Sequence, residues 1–237
     1  MLSVTNALPA TWPRLLQGGR MSIGFDVGTT TKATSNPSVL AFMQEHERRQ
    51  HVRLMVSWKS ADDEASRRLV RLAIDQAIAA GHRPRRLVID ASNEVYFATN
   101  LRRALAGVVP VHLVKSGQNL KFRGEELDAK TLLGNLYTSA MEDGFILLPD
   151  AVWIAEDHRL VMREAGGFQN LTGKNGRHGD TFDACKLAYW GQQGGGGTVA
   201  ASGASTGGRH ASGSPDRPGI RNPYARAHRT HTPRLTA

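Results

Sequence analysis

The chain has 237 residues, a hydrophobic fraction of 40% and a single cysteine, Cys185. That leaves space for one good-sized domain with appendages or two small ones, and it excludes a disulfide framework and a cysteine-built zinc site. The formal charge of +9 suits a polyanion partner such as nucleic acid without deciding for one. No apolar run reaches the length of a membrane span, and the N-terminus lacks a signal pattern, so a cytosolic protein is expected.

Residues 1–20 carry Pro9, Pro13 and the Gly18-Gly19 pair without a sustained period, and read as a leader or linker, with Met21 a candidate start of the domain. In Ser22 to Thr30, Ile23, Phe25 and Val27 alternate with small or polar neighbours, the two-residue period of a half-buried strand. Residues 29–37 form a long polar connection. Segments 38–45 and 51–58 are two further strands, which makes an antiparallel meander. Ser60-Ala61-Asp62-Asp63 reads as a capping box for a helix to about Ala80, with Leu69, Val70, Ala73, Ile74, Ala77 and Ile78 inward and Gly81 as its stop.

Arg86 to Asp90 is a short apolar strand ending on a carboxylate. Asn93 is placed to cap a helix carrying Phe97, Leu101 and Leu105, and Pro110 to Lys115 is a fifth strand. Strand, helix, strand, helix, strand in this order implies parallel pairing through right-handed crossovers. After a polar loop at 116–124, helices are expected over 125–142 and about 150–163, with the short apolar segment Phe145 to Leu148 between them. A Gly/Asn/Lys-rich loop at 166–179 leads to a last helix from Asp180 to about Gln193. Residues 194–237 hold six Arg and one Asp in a Gly/Ser-rich background, leaving +4 for the rest, and no packed core can form from them. The expected organisation is therefore a domain at 21–193 followed by a disordered basic tail at 194–237.

An ionised Asp26 inside a strand is costly unless a cation, a hydrogen-bond cluster or water offsets it. By itself it reads as a solvated strand end. Two more acids change the weighting. If the first and fourth strands are neighbours, Asp26 and Asp90 leave the same edge of the sheet, and Asp180 and Asp183 share one face of the last helix by their i, i+3 spacing. Packed across the sheet, that helix brings its first turn to the same place. Carboxylates that converge repel one another unless cations lie between them, and oxygen ligands of this kind select Mg²⁺ or Mn²⁺. Two such ions roughly 3.5–4 Å apart would activate a water and stabilise the leaving oxygen of a phosphodiester.

Gly24-Phe25-Asp26-Val27-Gly28, Leu87-Val88-Ile89-Asp90 and His178-Gly179-Asp180-Thr181-Phe182-Asp183-Ala184 stand in the order and spacing of a ribonuclease H-like metal nuclease. With the insert containing Asp128-Ala129-Lys130 and Gly144 to Pro149, the chain over about 21–193 resembles the C-terminal nuclease domain of tailed-phage terminase large subunits, the motors that package double-stranded DNA. The resemblance implies an α/β ribonuclease H-like fold, a mixed five-stranded sheet in the order 3-2-1-4-5 flanked by helices. It implies an endonuclease using two Mg²⁺ or Mn²⁺ ions, with Asp26, Asp90 and Asp180 as ligands, Asp183 as a fourth or supporting acid, and His178 as a supporting residue. Family members often have His-Asp-Asp where this chain has His178-Gly179-Asp180. The implied partners are double-stranded DNA, a packaging ATPase domain or subunit, small terminase and portal, in the host cytoplasm.

A packaging ATPase needs Gly, four residues, then Gly-Lys-Ser/Thr; the nearest run, Gly167 to Lys174, has the wrong spacing, so no motor activity is expected of this chain. Rival readings are a Holliday-junction resolvase of the same fold, an actin/sugar-kinase-like ATP-binding protein suggested by Asp26-Val27-Gly28-Thr29-Thr30, and a non-catalytic docking module of a packaging complex. Lys115 and Lys121 are candidate DNA phosphate contacts. Arg67, Arg68 and Arg71 read as a solvated helix face, and His51, His82, His112 and His158 as scattered surface or core residues.

Overall fold

The computed structural model describes residues 8–29, 31, 35–164, 167–173 and 176–193; the expected tail at 194–237 lies outside them. The alternation in the first strand sorts its side chains as the two-residue period requires. In β1 (Met21–Asp26), Ile23 and Phe25 enter a core shared with Leu40, Phe42, Leu54, Val56, Leu87 and Ile89, and α1 (Asp63–Ala79) and α2 (Val95–Ala104) cover that face. The opposite face is covered by α3 (Ala129–Glu142) and α5 (Asp180–Gln192). Because β2 (Ser38–His46) is covered on both sides, Val39, Leu40, Ala41, Phe42 and Met43 are all fully buried, hence their unbroken apolar run.

With β3 (Arg49–Trp58), β4 (Leu87–Asp90), β5 (Val111–Val114) and β8 (Ile146–Leu147), the main sheet has six strands in the order β5-β4-β1-β2-β3-β8. The β1–β2 and β2–β3 pairs are antiparallel, and β1–β4 and β4–β5 are parallel. This is the expected 3-2-1-4-5 order, extended by one short strand. β8 runs parallel to β3 through two residues and comes from the apolar segment before Pro149.

Two helix extents and two helix caps need correction. Residues 125–128 are not helical: Glu125–Asp128 is β7, paired with β6 (Asn119–Phe122) in a hairpin, and α3 begins at Ala129 behind the side chain of Asp128, which accepts from Thr131 N. The helix expected over 150–163 stops early. It is α4 (Val152–His158), followed by β9 (Val161–Glu164), which pairs with β10 (Gly167–Asn170) inside the stretch expected to be loop. The caps also differ: Asp62 alone caps α1, accepting from Glu64 N and Ala65 N, and Glu94 rather than Asn93 stands at the cap of α2 without a side-chain bond.

Residues 8–20, expected as a leader or linker, pack against the sheet and α1. Leu8, Trp12 and Leu16 are buried around a 3-10 turn at Trp12–Leu15, and the Trp12 indole donates to Gln76 Oε1 of α1 at 2.7 Å. The Trp12 ring lies 4.9 Å from that of Phe42, closing the α1 face of the sheet. Arg67, Arg68 and Arg71 are held by Glu64 and Asp75 on the outer face of α1, as a solvated face would be. Among the described residues no helix is long and apolar enough to cross a membrane.

α5 and β1 approach each other closely. A Cβ on Gly24 would lie 1.9 Å from the carbonyl oxygen of Ala184 and 2.5 Å from the backbone nitrogen of Ala188. Two residues earlier, Ser22 Oγ donates to Ala188 O at 2.6 Å. Both obstacles at Gly24 are backbone atoms, so the helix must move away to admit a methyl group. Gly24→Ala should therefore destabilise the protein by about 3 kcal/mol, a fall of roughly 10 °C in Tm. Gly117→Ala, where no atom lies within 4 Å of the added Cβ, should leave Tm nearly unchanged in the same thermal melts.

Candidate active site

The contacts between α5 and β1 set which side chains meet. Ala188 lies against Ser22 and Ala184 against Gly24, so the helix runs back along the strand and its first turn arrives over the next outward position, Asp26. Asp90 follows from the register of β4, in which Phe25 pairs with Ile89, so the two acids end neighbouring parallel strands. Both fall on the α5 face, since Ile23, Phe25, Leu87 and Ile89 belong to the other one.

The electrostatics follow from that placement. Burial raises the pKa of Asp26 well above the ordinary carboxylate value, and the charges of Asp183, Asp180 and Asp90, in that order, raise it further, while Lys186 opposes them. Asp180 is 1% exposed and is pushed up to about 7, first by burial and then by the charge of Asp157, against a bond from His178 N. All four acids expected at the site are thus gathered at one end of the sheet.

Each acid also has a local partner. Asp90 Oδ1 accepts from Ser92 N at 2.8 Å and from Ser92 Oγ at 2.5 Å. Asp183 Oδ1 is 2.5 Å from Lys186 Nζ, and its Oδ2 accepts from Asn170 Nδ2 at 3.3 Å. Asp180 Oδ2 accepts weakly from His178 N at 3.4 Å. As the side chains stand, no three His, Cys, Asp or Glu residues among those described converge tightly enough to enclose a metal ion. The donor set nevertheless fits Mg²⁺ or Mn²⁺: it is all carboxylate oxygen, and its negative charge exceeds what Lys186 offsets.

The other expected residues sit further out. The half-buried His178 precedes α5, with its imidazole Nδ1 3.3 Å from Thr172 Oγ1 and its carbonyl accepting from Asn170 Nδ2. Lys115 is exposed just after β5, and Lys121 is exposed on the β6–β7 hairpin. Trp153 carries Arg177 over its ring at 4.8 Å. His158 is a core residue, its ring nitrogens within 2.9 Å of Tyr137 Oη and of Thr181 Oγ1, and burial lowers its pKa.

Three participants were not foreseen from the sequence: Lys186, Asn170 and Asp157. Asp157, on α4, is 1% exposed and caps α5 from outside the helix, accepting from Gly179 N at 3.2 Å and Thr181 N at 2.7 Å. Gly179 sits at the helix start with φ 86°, and has no side chain of its own to do this. Lys186 alone left a readable signal: a lysine one turn after Asp183, among the apolar residues of α5, at the spacing of an i, i+3 ion pair.

No protein-family model and no curated protein sequence matches the chain. Among solved structures it is similar to the large terminase nuclease of the thermophilic phage G20c, with bound magnesium, at 17% identity and a TM-score of 0.53, covering 74% of this chain and 82% of that one. The large terminase of a second thermophilic bacteriophage matches at 14% identity and a TM-score of 0.49, over 76% of this chain but 40% of its own length. The human cytomegalovirus terminase nuclease domain matches at 11% identity and a TM-score of 0.44, over 75% of this chain and 85% of that one. The architecture is thus a ribonuclease H-like α/β fold. Within that class, it is the fold of a terminase nuclease domain.

Raised carboxylate pKa values have a direction of effect on stability. Asp180 and Asp26 favour their protonated forms in the folded protein, so the stability they lend is present below the unfolded value near 4 and is lost as pH rises, for Asp180 through about 7. The metal-free protein should therefore lose thermal stability between pH 5 and pH 8. Asp180→Asn should recover at least about 1 kcal/mol at pH 8 and much less at pH 5 in EDTA-treated samples. A variant equally affected at both pH values would show that the Asp180 charge is not what costs stability.

Proposed function

We propose that the chain is a divalent-metal-dependent endonuclease that cuts double-stranded DNA during genome packaging. The observation that carries this is the environment of Asp26: a half-buried strand end facing three further carboxylates, with too little positive charge of its own. The fold shared with the magnesium-bound phage G20c nuclease supports the same reading. In this proposal Asp26, Asp90, Asp180 and Asp183 hold Mg²⁺ or Mn²⁺, two ions in all. Bound metal would supply an activated water and charge stabilisation at the scissile phosphate.

The rest of the machinery is positional. β1 and β4 present Asp26 and Asp90 side by side from a rigid sheet, which suits a reaction that depends on fixed geometry. Asn170 and Ser92 orient Asp183 and Asp90, and the His178 backbone orients Asp180. His178 is a supporting residue in this scheme, and exposed Lys115 and Lys121 contact DNA phosphates. The domain is taken as 21–193 with the packed residues 8–20 added, and the basic 194–237 segment adds nonspecific DNA affinity that salt weakens. The proposed partners are a packaging ATPase domain or subunit, small terminase and portal, in the host cytoplasm.

Purified protein with supercoiled plasmid and Mn²⁺ or Mg²⁺ should produce nicked and linear DNA, and EDTA should abolish this. Asp26→Asn and Asp90→Asn keep the side-chain size but remove a negative charge, and each should lower cleavage by about 100-fold or more while circular dichroism stays unchanged. Nicking that persists in Asp26→Asn would assign the activity to another site or a contaminant. Intact protein that never cuts would favour a docking module over a nuclease.

A further inference from the structure

Lys186 lies in the middle of α5, 7% exposed, between the buried residues Cys185 and Leu187. An ammonium taken out of water costs several kcal/mol unless it is well paired. Its pairing is unusually rich in acids for one cation. Its Nζ is 2.5 Å from Asp183 Oδ1, and the charges of Asp26 and Asp90 also bear on it, enough to raise its pKa despite burial. Its packing on the Phe182 ring is loose, at 5.9 Å, so the carboxylates hold it rather than the aromatic face.

Asp183 is in the complementary position. Both of its oxygens are engaged, one by Lys186 and one by Asn170. A metal ion ligated by Asp183 would share an oxygen with one of these partners, and a cation at Oδ1 would stand beside the Lys186 ammonium and be repelled by it. Both the ammonium and a divalent ion answer the same excess of negative charge around Asp26.

We propose that Lys186 is a built-in counter-ion of the carboxylate cluster, which holds Asp183 in the metal-free protein and yields it to an incoming divalent cation. The two cations compete, so Lys186 weakens metal binding in return for keeping the empty cluster folded. This rests on the metal-nuclease reading above, but it concerns binding rather than cleavage. Lys186 acts through Asp183 and is a positioning residue.

The test uses the full chain, stripped with EDTA, as wild type, Lys186→Met and Lys186→Arg. Mn²⁺ binding is read from the spin resonance of free Mn²⁺, and stability from thermal melts with and without Mn²⁺. Lys186→Met should melt lower without metal, bind Mn²⁺ on the order of tenfold more tightly, and gain more from added Mn²⁺ than the wild type does. Lys186→Arg, which keeps the charge, should stay near wild type. A purely structural lysine would lower the melting temperature without tightening Mn²⁺ binding, and that result overturns the proposal. If Lys186→Met does not fold without metal, refolding in Mn²⁺ should rescue it, and failure of that rescue also overturns the proposal. Wild-type protein that binds no Mn²⁺ refutes the metal reading itself; wild-type binding without the tightening refutes only the role of Lys186.

Discussion

The seating of α5 on β1 is the constraint from which the site follows. The helix backbone comes so close at Gly24 that no side chain fits between, and the Ser22 hydroxyl bonds the helix at Ala188. Gly191 extends the contact, since a Cβ there would lie 2.8 Å from that of Ser22. Small residues on both partners let two backbones pack at this distance, and they also fix the helix along its axis. A shift of one turn would carry Asp183 and Lys186 about 5.4 Å from their present place. The relation between Asp26 and the acids of α5 is therefore decided by residues that carry no charge.

Charge then opposes packing at the same spot. Asp157 satisfies the backbone donors at the start of α5, which any buried helix end requires. The carboxylate that does this lies close enough to Asp180 to raise its pKa. α4 thus secures the helix and adds to the repulsion within the cluster. Lys186 lowers that repulsion without cancelling it, leaving an assembly of acids under electrostatic strain at the end of a rigid sheet. The acids are gathered there, but as the side chains stand they do not close around a cation.

The sheet itself is insulated on both faces, and this explains parts of the chain remote from the site. β2 at the centre is apolar on every residue from Val39 to Met43 because helices cover both sides. Residues 8–20 add Trp12 and Leu16 to the α1 face, and β8 lies against the β3 edge. Neither feature has a periodic pattern long enough to read: one is a single 3-10 turn that contains Pro13, the other a two-residue strand.

The sequence by itself determined the five strands, the βαβ crossovers and a last helix beginning near Asp180, because local periodicity and the right-handedness of βαβ connections are properties of the chain read in order. The strand order 3-2-1-4-5, which makes Asp26 and Asp90 neighbours, came from the resemblance of the motifs to terminase nucleases. The four-residue strands β7 and β9 escaped, because Glu125-Glu126-Leu127-Asp128 and Val161-Met162-Arg163-Glu164 are largely exposed and show no alternation between a buried and a wet face. Only the tertiary structure decided that Asp157 caps α5 and that Asn170 and Lys186 share Asp183. Asp157 and Asn170 stand 24 and 13 residues from the groups they bind. No helical or strand period links such positions; folding α4 and the β9–β10 hairpin against α5 does.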